Sequence, residues 1–386
     1  MVSTAPAAHG RLPLRLVTVA RGSVVVFVFG ALPACFAAIF LHLLATGYHP
    51  FDFHTFWQSG RDVLGGRSPY PDTLPAVAHR DTFRPFVYPA PAAIAMVPIS
   101  LIPYAVADVL WAVIGVAAIV VALRLLGVRD WRCYGAVFAW PVIWSSLING
   151  AISTLIVLAC AALWRYRSRP WAAGALVAAL VVFKLYFWPL GLWLLATRRW
   201  RAGGSSIVFA VIGTVVGYAV VGFSGLRAYP HILNRLTSLV ADQSYSPYAF
   251  FRSLGASPDG ARLAMLACGA AVLVGLVALA RRPEGERPAF ILALAGSLVL
   301  SPIVWPHYLA VLCVALALAR PRVGVAWLAP MALWFSVPAW SGGSTYRIAT
   351  VLALVLGLFG WAVWKTASSR GLPGRALRPA VALGIK

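Results

Sequence analysis

Early in the chain stands Phe51-Asp52-Phe53-His54-Thr55-Phe56-Trp57-Gln58-Ser59-Gly60-Arg61, followed by Gly65-Gly66-Arg67-Ser68-Pro69-Tyr70. Asp52 lies a few residues beyond the first long apolar run, inside an aromatic cluster. A carboxylate kept where water thins out is costly and tends to be there for a function. Partial desolvation also makes it more basic than in water. The chemistry this fits is general-base removal of a proton from a hydroxyl. The bland alternative is an interfacial aromatic belt with an incidental acid.

The other acids compete poorly. Asp130, Glu284 and Glu286 fall among basic residues, and Asp108 near the start of the second apolar span. Asp259 sits in a Ser-Pro-Asp-Gly turn sequence, where it reads as a turn former or helix cap. Asp72 and Asp81 are in loop sequence, and Asp62 beside Arg61 reads as an ion pair or a supporting residue.

Three cations stand at breaks in the hydrophobic pattern. Lys184 interrupts Val-Val-Phe-Lys184-Leu-Tyr186-Phe-Trp-Pro189; His307 follows Ser301-Pro302 and Trp305-Pro306; Arg252 closes the polar run that begins at Asp242-Gln243-Ser244. A buried lysine snorkels, pairs with an acid or binds an anion, and a lone histidine at a helix end is more often structural. Together on one face, three such cations suit a phosphate, to which arginine can bind bidentately. An acid plus phosphate-binding cations at a bilayer edge suits a lipid-phosphate sugar donor and a hydroxyl acceptor. The rival reading, a transporter or flippase of lipid-linked sugars, also needs the cations but has less use for the acid.

These residues must be positioned by membrane helices. The chain has 386 residues, 61% hydrophobic and 11% charged, and a net charge of +22. The basic residues fall in short clusters between apolar runs (Arg124–Arg132, Arg165–Arg169, Arg198–Arg201, Arg281–Arg287, Arg320–Arg322). That spacing is the positive-inside pattern, with membrane lipids rather than nucleic acid as partner. The expectation is an all-α, polytopic integral membrane protein. It has a cytoplasmic segment 1–21, a transmembrane domain 22–364 and a basic cytoplasmic tail 365–386. About twelve membrane segments are predicted, with both termini inside and an extended first external loop at 47–103. Two of the apolar runs are too long for one crossing and short for two. They read as broken hairpins, 133–164 with its tip at Asn149-Gly150 and 171–197 with its break at Lys184. Polar backbone at such depth must be covered by protein or line a cavity. The five cysteines lie in apolar segments without metal spacing and read as buried small hydrophobes. There is no phosphate loop and no H-E-x-x-H zinc motif, so ATP-driven transport and zinc proteolysis are not expected; a lipid phosphate would already carry its leaving-group charge, and no metal or other cofactor is expected.

With these residues in view, the chain resembles glycosyltransferase family 87, bacterial integral-membrane transferases of the GT-C class. The resemblance covers roughly residues 22 to 330. It rests on D-F-x-x-F-W-x-x-G-x-x-x-L-x-G-x-x-P-Y from Asp52 to Tyr70, Tyr88-Pro89-Ala90-Pro91, Asn149-Gly150, Lys184 with Pro189, Asp242-Gln243-Ser244 with Arg252, and Ser301-Pro302 with Trp305 and His307. Asn149-Gly150-Ala151 stands where Asn-Gly-Gln is expected, and Pro306-His307-Tyr308 where a His-His or Asp-His pair is expected after Trp. Both bear on the sugar carried more than on the reaction class. The resemblance implies transfer of a sugar, mannose first and arabinofuranose second, from a polyprenyl-phosphate donor to a lipid or glycan hydroxyl. It implies an external active site on the bacterial cytoplasmic membrane and inversion at the anomeric carbon. Asp52 is then the catalytic base; His307, Lys184 and Arg252 bind the donor phosphate; His54, Trp57, Tyr88, Asn149, Asp242, Gln243 and Trp305, in or beside these motifs, line the substrate pocket.

Overall fold

A computed structural model of the chain describes residues 23, 25–48, 50–70, 86–241, 243–335 and 344–368. The segment 1–21, the tail beyond 368, Asp72, Asp81 and Asp242 lie outside the described residues. Among the described residues the structure is helical, without a strand.

Five helices among the described residues are long and apolar enough to cross a membrane: α1 (Phe27–Ala45), α5 (Tyr104–Leu125), α11 (Trp200–Val220), α14 (Pro258–Ala280) and α18 (Thr345–Ser368). Between α1 and α5 lie α2 (Phe51–Leu64), α3 (Ala90–Ala95) and α4 (Val97–Ser100). The first predicted hairpin is α6 (Trp131–Phe138), α7 (Pro141–Asn149) and α8 (Ser153–Tyr166), with α7 and α8 bent by 117°. The second is α9 (Pro170–Phe183), a 3-10 turn at Leu185–Phe187 and α10 (Pro189–Ala196). Beyond α11 come α12 (Ser224–Leu239) and α13 (Pro247–Ser253); beyond α14 come α15 (Glu286–Val299), a 3-10 segment Pro306–Val311 and α16 (Leu312–Ala319); α17 (Val325–Leu328) and a 3-10 segment Ala329–Phe335 precede α18.

The count of about twelve membrane segments is not confirmed by the described residues. Among the described residues five helices reach span length, or six if the bent α7–α8 pair is one span. The apolar stretches at 288–304, 308–319 and 323–335 form short pieces. Their place in the fold explains why. The long helices α11 and α14 are peripheral: Ile207, Val211 and Val215 on α11 and Leu263, Leu266 and Val274 on α14 point outward, as lipid-facing residues would. The short α15 and α16 are almost wholly buried. A helix end inside protein need not reach a headgroup, because neighbouring protein covers its backbone.

Proline sets most of the breaks. It cannot donate the i→i−4 bond and its ring clashes with the i−4 carbonyl. Pro189 opens α10 at its first position, and between it and Phe183, the last residue of α9, Lys184 has extended backbone (φ −145°, ψ 99°). Pro141, Pro170, Pro247, Pro258 and Pro306 open their segments at the first position, where no bond is lost. At the other tip, Gly150 has φ 63°, a left-handed conformation. A Cβ there would collide with Phe53 of α2.

Three of the basic clusters, Arg165–Arg169, Arg198–Arg201 and Arg281–Arg287, meet at one end of the bundle around Glu286. Arg167 Nε and Arg199 Nη2 reach Glu286 Oε1 at 3.0 and 2.6 Å, and the Trp193 indole donates to the Glu286 carbonyl at 3.1 Å. Arg167 lies 4.0 Å from the Trp164 ring. Helices α8, α9 and α15, each of 14 residues, lead away from this cluster. They separate it by roughly 20 Å from the breaks at their other ends.

Cysteine and acid placements refine the reading of the sequence. Cys133, Cys160 and Cys313 are buried, whereas Cys35 and Cys268 are exposed on span helices. Asp62 pairs with Arg67 at 2.9 Å rather than with Arg61, which lies over the Trp57 ring. Ser257, not Asp259, caps α14.

Candidate active site

Helix α2 carries its apolar stripe at Phe53, Phe56 and Gly60, which are buried. Gly60 is required by close packing: an added Cβ would fall 2.9 Å from the Met96 carbonyl oxygen and 2.6 Å from Ser100 Oγ. Phe53 stacks on Trp111 and Phe56 meets Tyr88, with ring centroids 5.2 and 4.6 Å apart. Trp111 in turn donates to the Gly150 carbonyl at 2.8 Å. The Asn149-Gly150 tip, α5 and the start of α2 thus form one packed unit, and Asp52 sits in the first turn of α2 at its edge.

Opposite Asp52 stands the segment before α16. Ser246 Oγ donates to the Pro302 carbonyl at 2.7 Å, and Ser244 Oγ accepts from the Val304 amide at 2.9 Å. These bonds hold the non-helical run 301–305, so that Pro306 starts a 3-10 segment packed on α7 and α8. His307 is thereby buried, and its Nε2 lies 3.7 Å from Asp52 Oδ2. The Asp52 side chain is 20% exposed. Burial pushes its carboxyl up to about 6, while the nearby Lys184 charge pulls it down.

Lys184 arrives from the α9 break. It is buried, and aromatic rings rather than an acid surround its ammonium: Nζ lies 3.5 Å from the Tyr308 ring centroid, 4.9 Å from Tyr88 and 5.6 Å from Tyr186. Tyr186 and Tyr308 stack on each other at 5.5 Å. Quadrupoles of the rings hold a cation without neutralising it. An ammonium at this position is placed to meet an anionic ligand.

Asp52, Lys184, His307 and Tyr88 therefore come together. Asn149 forms the tip beside them, its Nδ2 donating to the Ser145 carbonyl at 2.7 Å. Trp305 is half-buried at the start of the His307 segment. Trp57 is half-buried and donates to the Ile102 carbonyl at 3.1 Å. His54 is exposed and packs edge-on against Tyr104. Gln243 lies in the turn after α12, its amide bonded to the Val240 carbonyl at 2.9 Å. Arg252 does not join the group: it donates to the Ala256 carbonyl at 2.5 Å and lines a separate cavity. Sequence reasoning missed Tyr186 and Tyr308 as the surround of Lys184. Their adjacency to Lys184 and His307 was visible, but ring-to-ammonium contact across distant segments was not. Among the described residues no cluster of His, Cys, Asp or Glu could hold a metal ion.

The class this defines is an all-α integral membrane protein whose polar site is built from helix breaks opposite an arginine-rich end. The family-87 glycosyltransferase model matches residues 86–306, more than half of the sequence. The chain belongs to glycosyltransferase family 87 and is a glycosyltransferase. The matched region contains Tyr88, Asn149, Lys184 and Trp305; Asp52 precedes it and His307 follows it directly. Two similar proteins carry the name polyprenol-phosphate-mannose-dependent alpha-(1-2)-phosphatidylinositol pentamannoside mannosyltransferase. One is from Mycolicibacterium smegmatis, 27% identical over 76% of this chain and 71% of its own length. The other is from Mycobacterium tuberculosis, 27% identical over 76% of this chain and 68% of its own length. No solved structure matches the chain.

Proposed function

We propose that the protein transfers mannose from a polyprenyl-phosphate donor to a hydroxyl of a lipid-borne acceptor on the external side of the bacterial cytoplasmic membrane. The observation that carries this is the meeting of one carboxylate, Asp52, with one imidazole, His307, and one aromatic-held ammonium, Lys184. The donor and acceptor classes follow those named for the two mycobacterial relatives.

Asp52 takes the proton of the acceptor hydroxyl as that oxygen attacks the anomeric carbon. The bond from that carbon to the phosphate oxygen breaks, and the electron pair leaves on the polyprenyl phosphate. Lys184, with His307 beside it, stabilises the phosphate charge. One direct displacement inverts the anomeric configuration. The external location follows from the arginine-rich end facing the cytoplasm, with the site about 20 Å further along α8, α9 and α15. Within a hydrocarbon core about 30 Å thick, that depth lies below the outer headgroups, where a lipid-linked phosphate can enter sideways.

The test is a reaction of purified protein with synthetic polyprenyl-phosphate mannose and a lipid acceptor. Mannosylated acceptor supports the proposal. Movement of the donor across the bilayer without product would favour a flippase, and product formed from the arabinofuranosyl donor alone would reassign the sugar.

A further inference from the structure

Away from Asp52, three helices face a second cavity of about 270 Å³. Each contributes polar positions one helical turn apart: Asn234 and Ser238 from α12, Tyr248 and Arg252 from α13, and Asp259 with Arg262 from α14. Arg262 Nη2 donates to Asn234 Oδ1 at 3.1 Å and so ties α14 to α12. Arg252 Nη1 donates to the Ala256 carbonyl at 2.5 Å. A guanidinium has five N–H donors, so both arginines retain capacity beyond these bonds. Asp259 Oδ1 lies 3.9 Å from Arg262 Nη1, on a side chain 91% exposed, so the acid sits at the rim.

The cavity's level in the bundle follows from α14. This helix runs 23 residues from Pro258 to Ala280 and then enters Arg281 and Arg282 of the basic end. Its length, about 34 Å, matches a full bilayer crossing. The cavity at its start is therefore at headgroup level on the side opposite the basic end. Its volume is below the roughly 300–1,000 Å³ of pockets for larger organic ligands. That suits a single headgroup rather than an oligosaccharide.

We propose that this cavity binds the phosphate and hydroxyls of a polyol headgroup on an anionic phospholipid in that leaflet. Arg252 and Arg262 meet the phosphate, and Asn234, Ser238 and Tyr248 offer partners to ring hydroxyls. The site is separate from the Asp52 group and stands whether or not the transfer reading holds.

The experiment uses full-length protein in nanodiscs of phosphatidylcholine and phosphatidylinositol in equal amounts, transferred to mild detergent, with retained lipid counted by native mass spectrometry. Phosphatidylinositol should be retained roughly tenfold over phosphatidylcholine, the effect of one charge-assisted contact. Arg262→Gln should abolish the preference. Ser238→Trp, which fills the cavity without removing a charge, should abolish it too. Asp52→Asn should keep it, because binding needs no turnover. Equal retention of the two lipids by the unaltered protein, or a preference surviving both cavity variants, overturns the proposal. Binding of free inositol phosphate without retention of phosphatidylinositol overturns the lipid source.

Discussion

His307 Nε2 lies 3.7 Å from Asp52 Oδ2, joining the first turn of α2 to the 3-10 segment before α16. No local pattern connects these two residues. The fold brings them together by ending helices inside the bundle, at Pro306 on one side and at the Gly150 tip on the other. The imidazole is thus next to the carboxylate as well as near the place assigned to the donor phosphate.

Lys184 should matter for donor affinity. A charge-assisted contact to phosphate is worth about 1.5–3 kcal/mol, so Lys184→Gln should weaken binding of polyprenyl-phosphate mannose about 10- to 100-fold. Tyr308→Phe keeps the ring beneath the ammonium and should change affinity by no more than about threefold, given that ring–cation contacts are worth roughly 0.5–2 kcal/mol. Calorimetric or fluorescence titration of the donor checks both. Unchanged affinity in Lys184→Gln would make the lysine structural.

The acid limb of the pH profile should report Asp52. Its carboxyl is raised to about 6 by burial, and a base works only unprotonated. At limiting substrate, transfer should therefore climb about tenfold per pH unit below that value and level off above it. The Lys184 charge holds the carboxyl lower than burial alone would. Lys184→Gln should consequently move the limb to higher pH. A limb that stays in place or moves down contradicts the electrostatic coupling.

Sidedness is open to chemical labelling. In a background with Cys35 and Cys268 replaced by alanine, Arg67→Cys should react in intact cells with a membrane-impermeant thiol reagent, and Arg281→Cys should not. Both positions are exposed, so reactivity reads topology rather than burial. The reverse pattern would put the site on the cytoplasmic side.

The Gly150 tip should be intolerant of a side chain. Gly150→Ala meets a left-handed backbone and the Phe53 side chain together, which should destabilise by roughly 1–3 kcal/mol. Gly204 has open space around it, and Gly204→Ala in the middle of a helix should be neutral or slightly stabilising. Thermal unfolding in detergent compares the two; equal midpoints would mean α2 does not depend on the tip.

Much of this was legible in the sequence because each feature is a local break in a periodic pattern. Pro189 and Lys184 announce a helix end, Asn149-Gly150 a turn, and the arginine clusters one shared face. What periodicity cannot show is which breaks share a cavity. Arg252 carries the same signal as Lys184, yet it caps its own loop and faces a second cavity. Length is a poor guide for α15 and α16, apolar helices buried in the interior of the bundle.

Asp52→Asn gives the most direct test of the account. The amide keeps the shape of the side chain but cannot accept the proton as a carboxylate does. In proteoliposomes with synthetic polyprenyl-phosphate mannose and lipid acceptor, the variant should fold normally and bind donor about as well as the unaltered protein. Its turnover should fall by roughly 10²–10⁴-fold, while Asp62→Asn, at the Arg67 ion pair, should lose far less. Near-normal transfer by Asp52→Asn would contradict the assignment of Asp52 as the base.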